Sequence, residues 1–274
     1  MAHPREGGIF PSYGNPPVIE VVCGILFKPL SALLSPYVGL LWEKYKDEYP
    51  QCSEMAPLDP LIERFDEPPR MMLEIGDKPP LPRVWFIHEK GTGIIQVQRD
   101  RFLHNWRKVK PEDEYPRYHV VKELFRDKLG KFQQFLQEND LGKIEPLQYE
   151  MTYVNHIPKG DGWQSLGEIG RVFPDFGFRT GNDRFLPEPA TLNWRTAFSL
   201  PDKAARMHVV IKQVRMRETG LPLIVLELTV RGIGSDTSPD AMWKWFDLAR
   251  EWIVRGFADL TGKEVQEKIW RRQN

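Results

Sequence analysis

Residues 17–24 read Pro-Val-Ile-Glu-Val-Val-Cys-Gly, and residues 147–154 read Leu-Gln-Tyr-Glu-Met-Thr-Tyr-Val. Both stretches are strand-like. Each carries one glutamate at the same place, and Glu20 and Glu150 are 130 residues apart. The pattern that follows each stretch also matches in order: a helix, two or three strands, then a long amphipathic helix. A chain that states one unit twice is constrained to a pseudo-symmetric molecule with a shared sheet or a shared cleft.

Residues 1–15 are rich in Gly and Pro and predict an arm. Asn15-Pro16-Pro17 sets an extended entry, because proline locks φ and restrains its predecessor. Alternation then places Ile19, Val21, Cys23, Ile25 and Phe27 on one face of a strand and Glu20 on the other. Ser35-Pro36 predicts a helix start. Val38, Leu41, Trp42, Tyr45 and Tyr49 recur at helical spacing up to Pro50. Residues 50–69 predict a long connection, followed by strands over 70–75, 83–88 and 93–103. Gly91-Thr92-Gly93 predicts the hairpin turn, since it lacks the Lys-Ser/Thr ending of a phosphate loop. Pro116 opens a helix with the stripe Val121, Leu124, Phe125, Phe132, Phe135 and Leu136, closed near Leu141-Gly142.

The second unit starts with the alternation Leu147, Tyr149, Met151, Tyr153, Ile157. Ser165-Leu166-Gly167-Glu168 has the form of a capping box. Strands are expected near 192–199, 206–215 and 221–231. Ser238-Pro239 predicts the cap of a last long helix with the stripe Met242, Phe246, Ala249, Ile253, Phe257 and Leu260. The expected fold is α+β: two β-α-β-β-β-α units, 16–144 and 145–262, related by a pseudo-twofold. Each is an antiparallel sheet with helices on one face, and a tail over 263–274 docks or offers a partner helix. The halves join edge to edge through their first strands or pack side by side.

With 38 basic and 38 acidic residues the chain has no net field, which disfavours nucleic acid as partner. Cys23 and Cys52 make no disulfide framework. There is no apolar signal core and no run of about 18 apolar residues, so a cytoplasmic location away from membranes is expected.

Asn15-Pro16-Pro17-Val18-Ile19-Glu20-Val21-Val22-Cys23-Gly24-Ile25-Leu26-Phe27 resembles the opening signature of a family of uncharacterised, sporadically distributed bacterial proteins. Gln96-Val97-Gln98-Arg99-Asp100-Arg101-Phe102 with Asn105-Trp106-Arg107 resembles its second signature, and Tyr153-Val154-Asn155-His156-Ile157 its third. The resemblance spans the chain. It implies a distribution like that of accessory genes, including defence and toxin–antitoxin loci, and it implies no activity.

Four groups of residues are candidates for function. If the first strands pair, Glu20 and Glu150 lie on the sheet face opposite the helices, where two carboxylates perturb each other or receive a cation; the alternative is that each pairs with a neighbouring Arg or backbone donor. Arg99, Arg101 and Arg107 alternate on one side of a ribbon beside Trp106, a pattern suited to phosphate or a base; the alternative is pairing to the acids of 111–114. Asn155-His156 and Arg195 offer a base or ligand, although no His or Cys stands at metal spacing and no nucleophile has a motif around it. The loop 174–190, with Phe176, Phe178, Arg179 and Phe185, suggests partner contact. Together these predict a non-enzymatic binding or regulatory protein working through a protein partner encoded nearby, with no cofactor. The rival is a sensor or enzyme that binds a nucleotide or other phosphorylated ligand in a cleft between halves.

Overall fold

The computed structural model describes residues 10–59, 62–63, 65, 82–178, 185–201, 205–216 and 219–274. The elements in chain order are β1 (Val18–Phe27), α1 (Ser35–Glu43), β2 (Gln51–Met55), β3 (Arg83–Ile87), β4 (Gly93–Gln98), β5 (Arg101–Arg107), α2 (Tyr118–Glu138) and β6 (Pro146–Pro158). After a short 3₁₀ helix at Leu166–Arg171 come β7 (Asn193–Ser199), β8 (Arg206–Arg215), β9 (Pro222–Gly232), α3 (Pro239–Leu260) and α4 (Lys263–Lys268). Among the described residues, nine strands form one antiparallel sheet in the order β2-β3-β4-β5-β1-β6-β9-β8-β7. The first strands of the two halves therefore meet edge to edge at the centre, with Val22 opposite Thr152 and Gly24 opposite Glu150.

One face of the sheet carries the core. Val21, Cys23, Ile25 and Phe27 of β1 are buried with Phe102 and Trp106 of β5, Tyr149, Met151 and Tyr153 of β6, and Leu226, Leu228 and Val230 of β9. Helix α2 lies over β1 and β5, and α3 over β6 and β9. Their seam is aromatic: Phe125 meets Phe246 at 5.3 Å and Trp243 at 5.8 Å. Burying large rings at the seam contributes about 2–3 kcal/mol each relative to exposure.

Several expectations are corrected. The strand over 93–103 is two strands, because Arg99-Asp100 turns the chain between β4 and β5. Residues 51–55, read as connection, form edge strand β2. A register shift between Val18 and Glu20 sends Val18, not Ile19, into the core. Helix α1 stops at Glu43, and Ser35 lies inside it with Leu34 at the N-cap and no capping side chain. Tyr45 and Tyr49 are still buried beyond its end. Leu124 is 37 % exposed, and Lys128 and Leu129 take buried places on α2. Ser165 bonds Glu188 instead of capping, whereas Glu168 reaches back to the Gln164 N–H. The Ser238 cap forms as read, accepting from the Ala241 N–H at 3.3 Å. The expected strand over 70–75 falls outside the described residues.

The tail docks. Val265 and Trp270 are buried, and the arm pairs with it through the Tyr13–Arg272 bridge, Gly14 N–H to Arg271 O (3.0 Å) and Asn15 N–H to Trp270 O (3.0 Å).

Candidate functional site

The sheet's other face is polar along its central strands, and the predicted residues distribute across it without converging. Glu20 and Glu150 both lie there, but the β1–β6 register sets them four residues apart along the strands, about 13 Å. Glu20 accepts from Asn105 Nδ2 at 2.6 Å, and Glu150 is ion-paired to Arg231. They share no ligand position: Glu150 pairs with a neighbouring arginine, as the alternative has it, whereas the partner of Glu20 is a side-chain amide. Burial is the main cause that raises the Glu20 carboxyl above the usual glutamate range, opposed by Asn105 and Arg107.

The arginine group does not assemble either. Arg99 sits in the turn. Arg101 is ion-paired to Asp100 at 3.3 Å. Arg107 donates from Nε to the Gly91 carbonyl at 2.8 Å, not to the acids of 111–114. Trp106 points to the helix side, where it packs on Tyr115 at 5.3 Å, so the guanidinium and indole lie on opposite faces. Arg195 is exposed on the edge strand β7, five strand spacings from β5 or about 24 Å. Asn155 and His156 diverge: Asn155 is buried on the helix side and donates to Leu226 O, while burial lowers the half-buried His156. In the loop, Phe176 packs on Trp194 at 4.5 Å and Phe178 packs against the core. Phe185 is 98 % exposed. Arg179 lies outside the described residues.

Past β2, the described residues of the connection cross this polar face. Leu58 exchanges two hydrogen bonds with Gln98 (2.9 and 3.0 Å). The Glu63 carboxylate, 6 % exposed, is ion-paired to Arg206 at 2.8 Å and hydrogen-bonded to the His208 ring.

A cavity of about 580 Å³ lies on the other side, over the β1–β6–β9 seam. Its floor is Tyr153, Asn155 and Leu228; its walls are the arm (Pro11–Val18), the start of α2 with the residues before it, and α3. Arg250, Ile253, Val254 and Phe257 line it from α3, the i, i+3, i+4, i+7 stripe that puts one helix face against one surface. The size is that of small-ligand sites, and the lining is mostly apolar with a few polar groups.

The lining holds Arg117, His119 and Arg250 and no carboxylate. The Arg250 guanidinium lies over the Phe10 ring at 4.5 Å and the Tyr118 ring at 5.6 Å. Its Nε is buried without a hydrogen-bond partner among the described residues. Arg117 has φ 72° and ψ 156°, a region that is nearly glycine-only, and its Nη1 donates to the Tyr13 carbonyl at 3.2 Å. Tyr115 and Tyr153 hydroxyls meet at 2.9 Å, and Tyr118 donates to Asp247 at 2.8 Å. Burial pushes the Tyr115 phenol up to about 12 and raises Tyr118 and Tyr153 too, so all three stay protonated.

Sequence reasoning found Asn155 here and missed Tyr115, Arg117, Tyr118, His119 and Arg250. The signals were present. Arg117-Tyr118-His119 opens a long helix with basic residues where acidic ones suit the dipole. Arg250 falls beside the apolar stripe of the last helix.

Among the described residues, no group of three or more His, Cys, Asp or Glu is placed to hold a metal ion. No described helix is long and apolar enough to cross a membrane. Cys23 is buried, its thiol pushed up to about 12 by that burial. Cys52 is exposed, and partial burial raises its thiol as well. No protein-family model matches the chain, and no curated protein matches it.

Proposed function

We propose that this is a non-catalytic binding protein whose recognition site is the cavity on the β1–β6–β9 seam. The observation that carries the reading is that volume of about 580 Å³, walled by the arm, α2 and α3 over the strands through which the two halves of the chain pair. The predicted cleft between halves thus has a counterpart on the helix side, built from other residues than Arg99, Arg101, Arg107 and Arg195. A binding role fits the side chains around it. The phenols that line the space are held protonated, so none of them stands as an activated nucleophile or base.

Internal duplication belongs to the same proposal. Val22 faces Thr152, 130 positions later, the spacing that also separates Glu20 from Glu150. Each glutamate faces an arginine on the next strand, Arg107 and Arg231. Membership of the sporadic bacterial family and a defence setting remain proposals that the identity of adjacent genes would test.

Val254→Trp tests the site, because an indole there fills the space between α3 and the arm. Native mass spectrometry after incubation with a small-molecule extract of the host should show a bound mass on the wild type and none on the folded variant. A bound mass retained by Val254→Trp, or none on the wild type, sinks the reading. A second reading keeps a protein partner: Phe185 and Leu186, 98 % and 61 % exposed, stand just before edge strand β7. Loss of a pulled-down partner with Phe185→Asp would support it, and unchanged capture would end it.

A further inference from the structure

We propose that the ligand of the seam cavity is a small amphipathic oxyanion. Its carboxylate or phosphate lies against Arg250 and the first turn of α2, and its apolar body lies over Leu228, Ile253 and Phe257. This rests on the reading of the cavity as a binding site and names the chemistry of what enters it.

Charge makes the first case. In a chain with equal acidic and basic counts, the charged side chains of the lining are of one sign: Arg117 and Arg250, with no Asp or Glu. Nearby ion pairs do not neutralise it. Asp247 accepts from Tyr118 and Lys122, and Arg250 has no ion pair among the described residues.

The geometry of Arg250 makes the second. Phe10 and Tyr118 occupy the neighbourhood of its flat faces. What remains is the in-plane edge, where guanidinium donors form a fork matched to two oxygens of a carboxylate or phosphate. The buried Nε–H is part of that edge and lacks an acceptor. A buried donor without a partner is costly, and a charged one more so. A neutral carbonyl would offer that donor a single acceptor; an oxyanion offers two oxygens to the fork and the opposite charge as well.

The start of α2 makes the third. Tyr118 and His119 belong to the first turn of a 21-residue helix and line the cavity. No side chain caps this turn and no acidic residue stands in it. Free N–H groups and the helix dipole favour an anion there. Arg117 at the N-cap adds a second cation and sits in a strained backbone region to do so. Strain of this kind persists at ligand-binding positions. The Tyr115 and Tyr153 hydroxyls bond each other, which leaves one O–H of the pair free to donate, and neither phenol carries negative charge.

The apolar remainder sets the rest of the molecule. Val18, Leu228, Ile253, Val254 and Phe257 offer a surface that an inorganic ion would leave wet. Inorganic phosphate alone is therefore a weak ligand, and an oxyanion with a ring or short chain attached is a better one.

The test uses the full chain and four probes in titration calorimetry and ligand-observed NMR at millimolar concentration: phenyl phosphate, 3-phenylpropionate, neutral 3-phenylpropionamide and inorganic phosphate. At least one aromatic oxyanion should bind, more tightly than both the amide and inorganic phosphate. The phosphate and carboxylate probes decide which head the site prefers. Arg250→Gln should weaken the preferred probe at least about tenfold. Arg250→Lys should recover only part of the loss, since a point charge cannot make the fork. Arg117→Gln, at the exposed mouth, gives a second readout should Arg250→Gln not fold, and it too should weaken the oxyanion and not the amide. If the amide binds as tightly as the carboxylate, the oxyanion inference falls while the cavity reading stands. If an oxyanion binds with equal affinity to the Arg250 and Arg117 variants, the proposed placement is wrong. If no probe binds, the inference falls, and Val254→Trp decides the cavity reading separately.

Discussion

Asn105→Leu tests whether the sheet's polar face is held by one relay. Asn105, 4 % exposed, donates to Glu20 Oε1 at 2.6 Å and accepts from Gln96 Nε2 at 2.7 Å. Gln96 Oε1 in turn accepts from Arg83 Nη1 and Trp85 Nε1, both at 3.0 Å. The relay thus ties β1, β5, β4 and β3 together by side chains in one row. Leucine has nearly the shape of asparagine and none of its hydrogen bonds. The substitution removes a bond to a carboxylate, worth about 1.5–3 kcal/mol, and a neutral one worth about 0.5–1.5 kcal/mol. Leucine regains about 1 kcal/mol by apolar burial beside Val22 and Ile94, its cross-strand neighbours. The net loss is about 2 kcal/mol, a fall in Tm of about 4–8 °C for a chain of this size. Urea unfolding should show the midpoint fall with the slope unchanged. In a Glu20→Gln background no charge is stranded, so Asn105→Leu should cost about 1 kcal/mol less. Costs that add within about 0.5 kcal/mol would refute the relay.

Glu20→Gln carries its own pH signature. Burial raises the Glu20 carboxyl, so folding disfavours its charged form, and stability present at low pH is lost as pH rises through the raised value. The variant should be more stable than wild type at neutral pH, with the gap closing as pH falls to the ordinary glutamate range in a series of urea melts. Glu48 behaves oppositely: its bond to the buried Lys128 (2.6 Å) lowers it, so stability present above the ordinary range is lost as pH falls through the depressed value. Lys128→Met should therefore flatten the acid limb while changing stability at pH 7 by less than about 1 kcal/mol, because both acids beside it are half exposed. Gly262→Ala would drive a Cβ into the Arg171 carbonyl and stretch the Gly262 N–H bond to Val172 O, costing about 2–3 kcal/mol by denaturant unfolding. Gly130→Ala on exposed α2 meets nothing and should stabilise by about 0.5–1 kcal/mol.

The sequence periodicities carried most of the fold. Alternation marked the helix-facing residues of β1 and β6, although β1 is buried on both faces from Val21 to Phe27, and every residue read into the α3 stripe is buried, with Trp245 missed beside them. Legibility failed at other strands where burial is two-sided or partial. β4 and β5 are buried along nearly their whole length, so alternation could not show the turn at Arg99-Asp100. β2 is an exposed edge with the pattern of a loop. The polar face was legible as to side but not as to distance, because a register cannot be read from one strand at a time. Glu20 and Glu150 match in sequence and point the same way, yet antiparallel pairing slides equal positions apart. The cavity was illegible for a related reason: its residues come from 11–18, 115–119, 153–155, 228, 250–257 and 273, and each segment alone reads as arm, helix start or core.

Helix lengths explain why a space is left on the seam at all. α2 and α3 cover neighbouring strands and are clamped where Asp247 meets Tyr118 and Lys122. α2 begins at Tyr118, whereas α3 runs on to Leu260, thirteen residues or about 20 Å past the clamp. Over that length α3 has no neighbouring helix on the α2 side among the described residues, and the arm lies there. An arm of Pro11, Tyr13, Pro16 and Pro17 cannot present a helical stripe, so it closes the edge of the gap without packing its interior. The arm is fixed by the tail: Tyr13 lies edge-on to Phe257 at 5.4 Å and to the buried Trp270 at 6.4 Å, and its hydroxyl donates to Gln266. The arm and the tail together thus wall the space, with Arg250 beside the uncapped start of α2. A fold that needed only stability would fill such a gap with apolar side chains. On the proposed reading, the molecule that enters this open, cationic space between arm and tail supplies the missing packing and the missing charge together.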